Sequence, residues 1–529
     1  MTSVLDILAR LDKLNAIGRA LSAETDLPRL LEAILLAAKD FANADGGTLY
    51  RMVDGALQFE ALRNDSLGFA MGGTTGTAIP FPPIPLQLAD GRPNQHMVVA
   101  HAALSGQTVN IADAYSAEGF DFSGTRAFDA RTGYRSQSFL TVPMKSHDGS
   151  IIGVLQLINA QDGAGQIRSF TAEDQQLVES LASQAAIALN NRLLIQQLEQ
   201  LFEALINLIN AAIDEKSPYT GGHCERVPLL TMMLADAAHQ VKSGPLADFH
   251  MSEQDRYELK IAGLLHDCGK ITTPVHVVDK ATKLETIFDR ITLVDTRFEI
   301  LFRDAEIALL KGEMDEAAYT ARIHQLENDR ELLRATNIGG EYMDEAHLHA
   351  VETIAAMPWR DHDGKEQTFL STDELTNLSV RRGTLNETER NIINHHIVMT
   401  IRLLEALPWP AHLARVPEYA GGHHERMDGR GYPRGLTREQ MSVQARIMGI
   451  ADIFEALTAR DRPYKPGKPL SESLTILGRM ARDQHIDNDL FDVFMRERVY
   501  LRYAEQFLEP SQLDHVDPAS IPGWSGSRC

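Results

Sequence analysis

The stretch His423-His424-Glu425-Arg426-Met427-Asp428-Gly429-Arg430-Gly431-Tyr432-Pro433, HHERMDGRGYP, decides how the second half of this chain is read. It sets two adjacent imidazoles and an acid before a Gly-rich turn closed by Tyr-Pro. Four further stretches carry metal-type donors in order along the chain. They are His223 in GGHCERV, His266-Asp267 in LLHDCGK, His396 in INHHIVMT, and Asp452 in GIADIFEALTARDRPYK. Imidazoles with carboxylates suit iron, manganese or a similar divalent ion better than a thiolate site would. From about residue 210 the hydrophobic spacing is helical almost throughout, and no sheet is expected there. Such a scaffold can point donors inward from several helices. Asp267 is the candidate bridge, because one carboxylate offers an oxygen to each of two ions. Lys270 lies about one helical turn past Asp267 and can face the same site.

Working outward, 529 residues are too many for one core, so two or three domains are expected. An apolar fraction of 44% with 23% charged residues is ordinary globular composition. No apolar run approaches the roughly eighteen residues of a membrane span. The start, MTSVLDILARLDKLN, carries acids inside a helical pattern and is not a secretory signal. Three cysteines give no disulfide framework, and Cys224 and Cys268 read as small packing residues beside the donor motifs. A cytoplasmic location, away from any membrane, is expected. The net charge of −22 argues against nonspecific binding of nucleic acid polymers, which would be repelled. A small anionic substrate is compatible with it if metals and a few cations neutralise the phosphate.

Residues 1–24 read as an N-terminal helix, with apolar positions at Leu5, Leu8, Leu11, Leu14 and Ile17. Short strand-like runs follow: GGTLYRMV, QFEALR, QTVNIAD, SFLTVPMKS and SIIGVLQLINA. The helix of TAEDQQLVESLASQAAIALNNRLL then starts at Thr171 as N-cap with Asp174 three residues on. Strands between helices predict an α+β domain. Over 193–213, Leu194, Leu198, Leu201, Leu205, Leu208 and Ala212 alternate spacings of four and three, a heptad seam that would pair two copies in a short coiled coil. Residues 506–529, rich in Pro, Ser and Gly, read as a flexible tail.

The five donor motifs, in their order, resemble the HD-GYP phosphohydrolases, a branch of the HD superfamily, over about residues 214–505. Residues 25–192 are similar to a GAF domain of the phosphodiesterase and adenylyl cyclase type, on NIADAYSAEGFDF, FDARTGYRSQSFLTVPM, IIGVLQLINA and FTAEDQQL. Together they imply an α+β multidomain protein: an N-terminal GAF domain (an antiparallel sheet flanked by helices), a connecting coiled-coil helix, and an all-α HD-GYP domain with a helical insertion. The HD-GYP resemblance implies hydrolysis of cyclic di-GMP to linear pGpG, and in some members on to GMP. It implies two divalent ions, iron or manganese, one held by His223, His266 and Asp452 and the other by His396, His423 and His424, with Asp267 between them. Lys270 would hold the scissile phosphate. Arg462 and Lys465 resemble positions that grip the substrate's phosphates. Arg430, Gly431, Tyr432 and Pro433 belong to the loop that shapes the substrate pocket and offers a surface to partners such as a diguanylate cyclase.

The chain departs from both families in places. Of the GAF signature it has Asn159, Phe170 and Asp174, but Ala160 and Gln175 stand where Lys and Glu are usual, so any small-molecule ligand of this domain is unknown. Members with a third metal carry a Glu four residues before the first His, where this chain has Tyr219. The family pattern puts the ligand four residues before a small residue and eight before an apolar one, which selects His396, with Thr400 and Leu404, over His395. Residues of about 282–383 form an insertion, whose charged first part predicts two long helices turning near Lys311-Gly312. Two other readings remain open: a weakly catalytic receptor or adaptor for cyclic di-GMP, and hydrolysis of another cyclic dinucleotide such as cyclic GMP-AMP.

Overall fold

The computed structural model describes residues 4–216, 222–340, 342–459, 467–524 and 526. Of the residues singled out above, Tyr219, Arg462, Lys465 and the side chains of Leu5, Leu8 and Leu11 lie outside them. The chain divides into two compact units, Met1–Phe202 and Glu203–Cys529.

The first unit opens with helices α1 (Val4–Ala23) and α2 (Leu27–Ala42). Asp26 caps α2 by accepting from the Arg29 amide. The strands are β1 (Ala44–Val53), β2 (Ala56–Asn64), β3 (Phe69–Gly72), β4 (Ile84–Pro85), β5 (Val109–Ile111), β6 (Phe139–Lys145), β7 (Ile151–Gln161) and β8 (Ile167–Arg168). Helices α3 (Val98–Ser105) and α4 (Ser123–Thr132) lie between β4 and β6 in the chain, and α5 runs from Ala172 to Lys216. The sheet is antiparallel in the order β3-β2-β1-β7-β6-β5, with β4 beside β2 and β8 beside β7.

The two-residue period of the strands sorts the core. Leu49, Leu140, Val142, Leu155 and Leu157 pack on Leu31, Ile34 and Leu35 of α2 and on Leu181, Ala185 and Leu189 of α5. Tyr50, Leu57 and Val154 face the other way, onto Val99 and Ala102 of α3. Gly47 lets α2 approach, since a Cβ there would stand 2.9 Å from side-chain carbons of both Leu35 and Leu157.

The signature residues of this unit have structural partners. Asn159 sits at φ +56° and accepts from the amides of Gln137 and Ser138 while donating to the Tyr134 hydroxyl and the Arg135 carbonyl. Asp174 and Thr171 exchange hydrogen bonds of 2.8 and 3.1 Å in the expected cap, and Arg168 pairs with the same carboxylate. Phe170 is buried.

The second unit is helical: α6 (His223–His239), α7 (Glu253–Leu265), a 3-10 turn at Cys268–Thr272, α8 (Val275–Val278), α9 (Ile291–Leu310), α10 (Glu316–Asn337), α11 (Glu345–Ala355), α12 (Thr372–Leu378), α13 (Glu387–Glu405), α14 (Val416–Gly421), α15 (Val443–Thr458), α16 (Leu470–Arg482), α17 (Asn488–Arg496) and α18 (Val499–Phe507). The insertion contains the expected helix pair, with Lys311 ending α9 and Gly312 at φ +72°. It also has its own core: Val294, Phe298 and Leu301 of α9, Leu326 and Leu333 of α10, and Val351, Phe369 and Leu378 beyond.

Two features differ from the sequence reading. A short hairpin, β9 (Pro358–Arg360) with β10 (Glu366–Thr368), interrupts the helices. Its turn is closed by Asp361, whose side chain accepts from the amides of Asp363 and Lys365, with Gly364 at φ +73°. The described part of the segment expected to be a flexible tail is packed. Gln512 is buried and donates to the carbonyls of Thr458 and Lys468, Ile521 is buried, and the Pro522 carbonyl approaches Gly478 where a Cβ would stand 2.1 Å away.

Candidate metal centre

The seven candidate ligands come from five elements and meet in one place. His223 is the first residue of α6, and His266 and Asp267 lie between the end of α7 and the 3-10 turn. His396 is in the middle of α13, His423 and His424 follow α14, and Asp452 is on α15. The turn lies tight against α13: a Cβ on Gly269 would stand 2.0 Å from the His396 carbonyl oxygen, and the Gly269 amide donates to Thr400 Oγ1 at 2.9 Å. Thr400 and Leu404 are buried on the same side of α13 as His396, whereas His395 is exposed.

The donor atoms fall into two groups. His223, His266 and Asp267 form one and His396, His423 and His424 the other, each with atoms within 4.8 Å of one another. Asp267 connects them. Its Oδ2 lies 3.3 Å from His223 Nε2 and 3.4 Å from His266 Nε2, and its Oδ1 lies 3.3 Å from His396 Nε2. Asp452 Oδ1 joins the first group, 3.3 Å from His223 Nε2 and 4.0 Å from His266 Nε2. His424 Nε2 lies 3.2 Å from His396 Nε2 in the second.

The imidazoles are oriented from behind. His266, His396 and His423 each place Nδ1 on the main-chain carbonyl three residues earlier, of Gly263, Ile393 and Ala420, at 2.6, 2.5 and 2.7 Å. This contact fixes the tautomer and leaves Nε2 as a lone-pair donor toward the centre. Among the described residues His423 Nε2 has no hydrogen-bond partner although it is buried, as a ligand atom facing an ion would be.

The electrostatics suit cations. Burial pushes His266 down to about 4 and lowers His423 and His424 as well, so all three are neutral imidazoles at neutral pH. Burial opposes the charge of Asp267 and Asp452, but Lys270 with His266, His223 and His396 holds Asp267, and His223 with His423 and His424 holds Asp452, well below the usual carboxylate range. Burial likewise opposes the charge of His223, and Asp267, Asp452 and Glu455 override it and raise its pKa well above the ordinary value. Neutral imidazoles at His266, His423 and His424 with ionised carboxylates suit a divalent pair, and His223 would give up its proton on binding an ion.

Lys270 is paired with Asp267 Oδ2. The Gly-rich loop is held by buried Glu425, which accepts from the amides of Arg434 and Leu436. Gly431 fits because a Cβ would stand 2.3 Å from the Arg426 amide, so its need is close approach and not a left-handed backbone. Tyr432, joined by a cis bond to Pro433, stacks on His424 with ring centroids 4.8 Å apart. Arg430 is exposed and is not drawn to the donor cluster. Sequence reasoning missed Glu455, buried one turn after Asp452, with Oε2 on His223 Nδ1 at 2.5 Å and Oε1 on Arg226 at 2.7 Å. Its signal was the three-residue spacing from Asp452 on an amphipathic helix.

Two HD-domain models match residues 220–353 and 372–490, and a GAF-domain model matches residues 26–189. The chain joins a GAF domain to an HD domain. The interval between the two HD matches falls inside the insertion. The chain is similar to 3'3'-cGAMP-specific phosphodiesterase 1 of Vibrio cholerae, 39% identical over 114 residues, covering 22% of this chain and 26% of that protein. It is also similar to 3'3'-cGAMP-specific phosphodiesterase 3 of the same organism, at 26% identity over 52% of this chain and 35% of the relative. A cyclic di-GMP phosphodiesterase of Thermotoga maritima is 27% identical over 42% of this chain and 67% of its own length. The GAF–HD chain thus spans about a quarter and a third of the two Vibrio proteins. Among its described residues no helix is long and apolar enough to cross a membrane.

Proposed function

We propose that this GAF–HD protein is a metal-dependent phosphodiesterase of cyclic dinucleotides that hydrolyses cyclic di-GMP to pGpG, with further cleavage to GMP an open step. The observation that carries the reading is Asp267, whose two oxygens are divided between two groups of histidines. That division fits one carboxylate shared by two divalent ions, iron or manganese, with His223, His266 and Asp452 on one side and His396, His423 and His424 on the other.

Such a pair, when bound, supplies a Lewis acid for the phosphate oxygens and lowers the pKa of a shared water. The chain's own residues do the rest. Three carbonyl-backed imidazoles keep Nε2 unprotonated and aimed inward. Lys270 holds a positive charge beside Asp267, where it can meet a phosphate oxygen and the charge that builds on it. Tyr432 holds His424 from its outer face, and the packed Gly431 turn brings Tyr432 and Pro433 to the rim. Arg430 extends from the same loop, where it can reach substrate or a partner such as a diguanylate cyclase. The GAF domain serves as the sensor.

The long helix α5 supports a homodimer. Leu194, Leu198, Leu201, Leu205 and Leu208 are 51–67% exposed along it, which leaves the heptad seam open to a second copy.

The two Vibrio relatives favour a second substrate, 3'3'-cGAMP, on the same centre. The test is anaerobic purification, a count of iron and manganese, and incubation with cyclic di-GMP and 3'3'-cGAMP while products are separated by chromatography. Two metal equivalents and linear product, abolished by Asp267→Ala, support the reading, and the faster substrate decides specificity. Tight binding of cyclic di-GMP without turnover would make the protein a receptor.

A further inference from the structure

We infer that Glu455 is a positioning residue that locks His223 in the centre and makes the His223 side the tighter of the two metal positions. The inference rests on the two-metal reading above.

His223 is the exception among the oriented imidazoles. The other three turn Nδ1 onto a carbonyl three residues back. His223 begins α6, so no earlier turn of that helix lies behind it. Helix α15 takes over this role with two carboxylates one turn apart. Asp452 Oδ1 lies 3.3 Å from His223 Nε2, and Glu455 Oε2 lies 2.5 Å from Nδ1. Glu455 thus holds the ring at Nδ1 and leaves Nε2 facing the Asp452 oxygen with which it would share an ion.

Glu455 is itself fixed. Its side chain is 1% exposed, and its other oxygen accepts from Arg226 Nε and Nη2, both at 2.7 Å. Arg226 lies three residues after His223 on α6, so the bridge between α6 and α15 closes on itself. A buried carboxylate behind an imidazole restrains its rotation and raises its basicity as a ligand more than a neutral carbonyl does. The two positions therefore differ in charge. One has an oxygen of Asp267, an oxygen of Asp452, the imidazole of His266 and the imidazole of His223 backed by Glu455. The other has three imidazoles and the remaining oxygen of Asp267.

The test uses manganese added to the metal-free full-length chain, with bound metal counted across a concentration series. The wild type should take up two equivalents in two separable steps. Glu455→Ala should weaken the tighter step by about ten- to a hundredfold and leave the weaker step in place. Glu455→Gln keeps the shape and an acceptor for His223, so it should fall between the two. It also answers the question should the alanine variant fail to fold. A merely structural role is separated by a double-mutant cycle. In a His223→Ala background, Glu455→Gln should change manganese binding no further. A full additional loss there, or equal weakening of both steps by Glu455→Gln alone, would overturn the proposal. Failure of the wild type to bind manganese at all would instead remove the two-metal reading, and this inference with it.

Discussion

Gly269 and His396 touch through the main chain: a β-carbon on Gly269 would stand 2.0 Å from the His396 carbonyl oxygen and 2.5 Å from the Thr400 amide. The turn that carries Asp267 is thereby set against the helix that carries His396, and the reach of Asp267 Oδ1 to His396 depends on that closeness. Backbone cannot move aside as the end of a side chain can. Gly269→Ala should therefore push the turn off α13, destabilise the HD unit by about 2–4 kcal/mol, and reduce bound metal. Thermal denaturation with a metal count on the same sample checks both. Full metal content at an unchanged melting temperature would show that the turn has slack.

His395 and His396 are neighbours with opposite environments. His396 is buried with Nε2 on Asp267, and His395 is exposed on the other side of α13. His395→Ala should leave metal content and activity within about twofold of wild type, since surface changes of this kind cost at most about 0.5 kcal/mol. His396→Ala should lose one metal equivalent and nearly all turnover. Elemental analysis of the two purified variants decides the pair, and loss of metal from His395→Ala would reverse the assignment.

What the sequence showed and what it hid divide along physical lines. Local signals were legible. The strands from GGTLYRMV to SIIGVLQLINA appear as β1, β2, β5, β6 and β7, the cap at Thr171 and Asp174 forms, and the turn at Lys311-Gly312 separates two helices. The donor motifs were legible because each carries its residue types in a short stretch. Glu455 was not, because its role depends on Arg226 and His223 across more than two hundred positions of chain. The packed tail was hidden for the same reason: composition speaks for a loose end, while Gln512 donates to two carbonyls, of Thr458 at the end of α15 and of Lys468 after it. The β9–β10 hairpin is three residues a side, too short for periodicity to reveal.

Lys283, at the base of the insertion, gives a pH-dependent prediction. It is 2% exposed, its ammonium donates to the Leu378 carbonyl, and burial pushes its pKa from 10.5 down to about 8. The folded-state pKa lies below the unfolded one, so the folded form binds this proton more weakly. The cost is present in full below about 8, shrinks as pH rises toward 10.5, and is gone above it. Lys283→Met removes that cost but also the hydrogen bond to Leu378. It should stabilise the HD unit by roughly 1–2 kcal/mol at neutral pH, with the gain fading through the alkaline range. Denaturant midpoints of both proteins between neutral and strongly alkaline pH give the difference, and a gap that does not change with pH would rule out Lys283 as its source.

Leu201 lies in the middle of the exposed seam of α5, with Leu194 and Leu208 seven residues to either side. If a second copy covers this face, a carboxylate at position 201 meets its own twin across the pair, where apolar contact is lost and two like charges are brought together in a dry interface. Leu201→Glu should therefore convert a dimer into a monomer at micromolar concentration while each unit keeps its fold, because the seam residues are not part of either core. Sedimentation equilibrium reads the mass, and circular dichroism at the same concentration confirms the helix content. A wild-type chain that sediments as a monomer under these conditions would remove the second copy from this face and leave the five leucines to be covered by something else.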